Sequence, residues 1–264
     1  MINSNSIWLH WHGHIEVVLG LGALQLAYLY FTGPYRKRNF PDIPKSPYRS
    51  LLFTLGNLMI FLSISSPIHV LSDDFLFSVH MFQHVVITLL SPPLLILGTP
   101  KWLISPIFSG KITLKIFKII FHPLITIVFF NFIFSVWHLP VLYELSVKFH
   151  WIHVFEHLLF MLAAIMMWWP LCSQIKQIPQ LPYPLQMIYL FVMSLAQIIV
   201  FGIVTFARQP IYQHYIEAER IFGISPLLDQ QIGGIIMKVG SGFMFLFLIV
   251  LAFYKWYDQE TNKK

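Results

Sequence analysis

Seven apolar stretches follow one another along this chain with little between them, and that recurrence restricts the fold more than any other feature. They run approximately over residues 15–32, 51–67, 75–97, 119–137, 152–170, 185–206 and 232–256. A helix needs about 20 apolar residues to cross a bilayer. Lipid offers no partner to backbone amides and carbonyls, so a spanning segment must satisfy them internally. The run from Leu51 to Leu62 does not alternate, which excludes the short two-residue periodicity of a barrel. Only 11% of residues are charged and mean hydropathy is +0.70. About 25% charge is usual for a soluble domain. A soluble globule, a disordered chain and a collagen-like or disulfide scaffold are therefore excluded. The expectation is an all-α, polytopic transmembrane helix bundle with seven spans.

The connections near 33–50, 98–118 and 207–231 are too short for a second domain, so residues 1–264 form a single integral membrane domain. Gly33-Pro34, Gly98-Thr99-Pro100 and the prolines at 179, 182 and 184 read as turns. His122-Pro123 reads as a helix start inside the fourth stretch. The chain has one cysteine, Cys172, so it has no internal disulfide and no CxxC site. No Lys or Arg precedes Arg36, so the first apolar run lacks the basic flank of a signal peptide and is expected to be retained.

The charges divide by loop. Thirteen of the 17 basic residues fall in the 33–50 and 98–118 connections, at Lys176 and at the C-terminal end. Basic loops stay cytoplasmic. This places the N-terminus outside and the C-terminus in the cytoplasm. Eleven of the 12 histidines and eight of the 11 acids then face outward. The net charge of +6 resolves into about +10 inside and −4 outside on that division. An acidic, imidazole-rich rim suits a cation and not nucleic acid, which needs a basic stripe.

Two segments share one form: His80-Met-Phe-Gln-His84 and His153-Val-Phe-Glu-His157. Residues i and i+4 share a helix face, so each pair aims two imidazoles the same way and can chelate one ion. A single histidine near a helix end is ordinarily interfacial or hydrogen-bonded. Two matching pairs on helices of the same direction are a different matter. His84 and His157 lie on the order of 10 Å inside their helix ends, where polar groups mark functional sites. His150 extends the second face. His10, His12 and His14 form a further, less specific set. Imidazole suits copper and zinc, and thioethers favour Cu(I). Met81 adjoins the first pair, although methionine in an apolar bundle is ordinarily packing. Glu156 gives the second pair the form H-x-x-E-H. A protease-type general base is one reading of it, and a carboxylate that supports a ligand histidine is the favoured one. Asp229 either caps the last span or supplies a carboxylate to the rim. Lys238, two turns into that span, needs a partner or must snorkel.

Four motifs together resemble one known family: His80-Met81-x-Gln83-His84 with Ser91-Pro92-Pro93-Leu94; Trp137-His138-x-Pro140-x-Leu142-Tyr143; His153-x-x-Glu156-His157 leading to Trp168-Trp169-Pro170; and Pro226-Leu227-x-Asp229-Gln230-Gln231-x-Gly233-Gly234-x-x-Met237. The chain resembles the CtaG family, polytopic factors for assembly of caa3-type cytochrome c oxidase. The resemblance runs from His12 to Met237. Lys238 departs from it, since a tryptophan usually follows. The single-span copper chaperone of the same name carries a cysteine pair that is absent here. The resemblance implies a non-enzymatic, multi-pass chaperone of the bacterial plasma (inner) membrane that works with cytochrome c oxidase subunits. With the outward histidines, it implies copper, as Cu(I), bound and delivered to the oxidase. His80, His84, His153 and His157 are the expected ligands, Met81 and His138 possible additions, and Glu156 and Asp229 the supporting carboxylates. The alternatives are a haem- or quinone-linked electron carrier with His84 and His157 as axial ligands, and a purely structural assembly scaffold. An ion transporter would need polar groups continuing inward, where the spans hold little beyond His122.

Overall fold

The computed structural model describes residues 7–9, 11 and 15–262. It is nearly all helix. Six helices are long and apolar enough to cross a membrane: α1 (Ile15–Asn39), α2 (Pro47–Ser65), α4 (Phe77–Gly98), α8 (His150–Cys172), α9 (Tyr183–Thr205) and α11 (Pro226–Thr261). A bent pair, α5 (Lys111–Ile120) and α6 (Pro123–Trp137), meets at 59° and brings the total up to seven if it counts as one span. Short helices α3 (Pro67–Asp74), α7 (Pro140–Lys148) and α10 (Gln213–Glu217) lie between them. A two-residue hairpin, β1 (Gln174–Ile175) with β2 (Ile178–Pro179), follows α8. Nothing in the apolar pattern marks it.

The helix starts follow from local chemistry. Three begin with Ser-Pro: Ser46, Ser66 and Ser225 accept from Arg49, Ile68 and Leu228 amides, and the following proline has no amide to leave unpaired. Pro123 opens α6 in the same way, with His122 held extended before it, as the sequence led one to expect. Gly33-Pro34 does not turn. The chain passes through it in a wide, π-helical turn (Phe31–Tyr35), and α1 runs on to Asn39.

A similar π-turn, Val86–Leu90, precedes Ser91-Pro92-Pro93 in α4. Pro92 cannot donate to the Thr88 carbonyl one turn back. Trp168 Nε1 on α8 donates to that oxygen at 2.9 Å, and Ser91 Oγ donates to Val86 O at 3.0 Å. The proline motif and the tryptophan motif are thus one contact between α4 and α8. It meets the requirement that no carbonyl be left bare in an apolar interior.

Small residues bring the helices close. A Cβ on Gly98 would lie 2.5 Å from the Phe53 amide, and one on Gly56 would lie 3.0 Å from Ser91 O, so α2 and α4 pack at backbone distance. Gly233 does the same for α11 against Phe77 and Met81 of α4. Asn57 Nδ2 donates to Leu21 O at 3.1 Å and joins α2 to α1. Lys238 has a partner within the bundle: its Nζ donates to Ser194 O at 2.8 Å.

Candidate metal centre

The centre is built where α4 and α8 begin. Within each helix the i,i+4 imidazoles stack along one face, with ring centroids 4.4 Å apart for His80–His84 and 4.4 Å for His153–His157. Across the two helices, His80–His153 and His84–His157 are each 5.5 Å apart. The four rings form a compact quartet, all buried. His80, His84 and His157 bring one donor atom each within 4.8 Å of the others. Imidazole nitrogens sit about 2 Å from a bound first-row ion, so the three donor atoms would have to draw closer together to hold one.

A second triad shares His80 and adds Asp73 and His153. Asp73 stands on α3, one helical turn after His69, with carboxylate oxygens 3.4 Å from His69, 3.8 Å from His80 and 3.3 Å from His153. Burial alone would raise this carboxyl, but the charges of His153 and His69 outweigh it and hold it well below the usual carboxylate range. Its side chain is 26% exposed, against 0% for His80, so Asp73 is the part of the cluster nearest solvent.

The nitrogens are mostly unsatisfied. Both ring nitrogens of His80 and His84, and Nε2 of His138, His153 and His157, are buried without a hydrogen bond among the described residues. Each such group costs about 1–3 kcal/mol. Glu156, 1% exposed, lies 3.8 Å from His84 Nε2, and neither of its oxygens is hydrogen-bonded there. A ring of aromatic hydroxyls roofs the cluster. Tyr143 pairs with Tyr215 at 2.9 Å, Tyr215 donates to Ser72 O at 2.6 Å, and Tyr212 donates to His138 O at 3.0 Å. On the flank, an apolar groove of about 380 Å³ between α1, α2 and α8 ends on His157.

The other expected residues fall in different places. His138 ends α6 with Nδ1 2.7 Å from Phe134 O, and its ring is 6.1 Å from His84. Met81 packs on Gly233 of α11, about 100° around the helix from His80. Met237 lines a cavity of about 20 Å³ together with His84. His150 leaves the cluster and pairs with Glu16 at 2.7 Å. His10, His12 and His14 lie outside the described residues. Asp229 does not cap its own helix, which Ser225 does. Its carboxylate instead accepts from the Phe77 and Ser78 amides at 2.7 and 3.1 Å. The helix bearing His80 and His84 is thus capped from across the bundle, because its own N-cap residue, Leu76, has no side-chain acceptor.

Asp73 and His69 escaped the sequence reading as site residues. The one local signal was their i,i+4 spacing, seven residues before His80. Gln83 also escaped it as a supporting group. Its Nε2 donates to Ser63 O at 2.6 Å and lies 3.2 Å from His69 Nδ1, which fixes α3 against α4.

Apolar helices of spanning length around a buried imidazole–carboxylate cluster define a multi-pass membrane protein with a cation-competent pocket at one end of the bundle. Residues 26–259 match the family model of the cytochrome c oxidase caa3 assembly factors, and the chain belongs to that family. It matches no curated protein and no solved structure. Membership gives it a role in cytochrome c oxidase assembly.

Proposed function

We propose that this protein holds copper at the histidine cluster and passes it to an oxidase subunit during assembly. The observation that carries the reading is the convergence of seven buried imidazole nitrogens with no hydrogen-bond partner among the described residues. A bound borderline ion satisfies those lone pairs, and an all-imidazole triad suits copper, as it also suits zinc. Asp73, the partly exposed member of the second triad, is where cargo enters or leaves. His80 belongs to both triads, so an ion can move between them without losing every ligand. No bond-making step is assigned to the protein.

In the orientation that basic loops favour, the bent pair α5–α6 is one span of seven, the N-terminus is outside, and the cluster faces the extracytoplasmic side of the plasma membrane. Cells carrying His84→Ala/His157→Ala in place of the wild type test the reading. The oxidase they assemble should lack copper while its haem content persists. Normal oxidase copper in that strain overturns the delivery role and leaves a structural scaffold.

A further inference from the structure

The opposite end of the bundle carries a second concave site of different chemistry. There the end of α1, the 40–46 loop, the start of α2 and the turn after α4 enclose a cavity of about 240 Å³. Arg36, Lys45, Arg49 and Lys101 line it, with Ser46 and Trp102, and no acidic side chain does. Asp42, in the same loop, is not part of the wall.

The two arginines are set in place. Arg36 Nε donates to Thr32 O at 3.0 Å and its Nη1 to Ile43 O, while Arg49 Nη1 donates to Leu97 O at 3.0 Å. Those anchors are neutral carbonyls, so they fix the guanidinium groups without cancelling their charge. The remaining N–H groups make no hydrogen bond among the described residues and can fork onto an oxyanion. Ser46 is the N-cap of the 19-residue helix α2, and the positive end of that helix dipole adds to the field. Four cations around one cavity repel each other until an anion enters. The volume is a little under the roughly 300 Å³ at which pockets for drug-sized ligands begin, which fits a headgroup. The site lies at the ends of three spans, where Trp and Tyr ordinarily mark the membrane boundary, and Trp102 and Tyr28 line it.

We propose that this pocket binds a phosphate-bearing anion, either the headgroup of an anionic phospholipid or free phosphate. The test uses purified full-length protein in detergent. Dioctanoyl phosphatidylglycerol, dioctanoyl phosphatidylcholine and inorganic phosphate are the probes, and native mass spectrometry and melting temperature are the readouts. Lys45 and Lys101 are exposed and anchor nothing, so Lys45→Gln/Lys101→Gln should fold. Lys111→Gln/Lys115→Gln on α5 removes the same charge elsewhere at that end. Phosphatidylglycerol should bind saturably and phosphatidylcholine should not. At about a fivefold effect per basic residue, the pocket pair should weaken binding about 30-fold and the α5 pair should leave it unchanged. Inorganic phosphate that competes at millimolar concentration assigns the site to free phosphate, and phosphate that fails to compete assigns it to the lipid. Absence of saturable binding by either anion overturns the proposal. So does equal weakening in the two double variants, which would mean a diffuse surface field.

Discussion

At one end of this bundle, imidazoles are buried and crowded, and seven of their nitrogens have no hydrogen bond among the described residues. At the other, lysines and arginines sit around an open cavity, the arginines anchored to backbone carbonyls. The contrast is between a polar group kept from water and one left in contact with it. Exposed cations cost little and need no partner. Buried imidazoles without hydrogen bonds cost about 1–3 kcal/mol each, so a fold that gathers several has them compensated when a ligand arrives. On the proposed function the histidine end is a site for metal cargo, and on the further inference the basic end is one for a phosphate-bearing anion.

The sharpest way to break that contrast is to separate the two triads. His84→Ala/His157→Ala removes the inner one and Asp73→Asn/His153→Ala the outer one. We expect the inner pair to cost more copper affinity, by at least 100-fold on the scale at which even supporting groups cost about 10–100-fold. Equal losses in a metal titration would mean a single site spread over all five residues. Glu156→Gln keeps the shape but removes the carboxylate 3.8 Å from His84. It should weaken copper about 10–100-fold, and unchanged affinity would make Glu156 a bystander. Asp229→Ala strips the cap from the amides of Phe77 and Ser78. It should cost about 2 kcal/mol of stability, with Asp229→Asn recovering part of it, as a melting curve would show. The smallest effect belongs to His84→Leu in metal-free protein. It keeps volume and removes two unsatisfied nitrogens, so stability should change by less than about 1 kcal/mol or rise. A drop of several degrees would show that His84 holds the fold rather than a ligand.

The apolar runs and the two histidine pairs were legible in the sequence because each rests on a local period, span length in one case and i,i+4 spacing in the other. Asp73 was not, because α3 is an eight-residue helix between spans and carries no apolar run. The sequence leaves Asp229 between a cap for its own helix and a carboxylate for the rim, because its amide partners lie 151 and 152 residues away. Gly33-Pro34 has the composition of a turn, and here a π-helical turn carries the proline through a continuing helix. The contact of Trp168 with the carbonyl freed by Pro92 joins two motifs that appeared separately in the sequence. The rest of what stayed hidden was a long-range hydrogen bond or a backbone irregularity.

The account rests on His80, the one residue common to both triads. The direct measurement is the copper bound by purified protein, stripped of metal and reloaded with Cu(I), wild type beside His80→Ala, with far-ultraviolet circular dichroism confirming that both are folded. The wild type should retain about one copper per chain and His80→Ala none, since both triads lose a ligand. A folded His80→Ala protein that retains copper at the wild-type level would contradict the assignment of the cluster as the copper site.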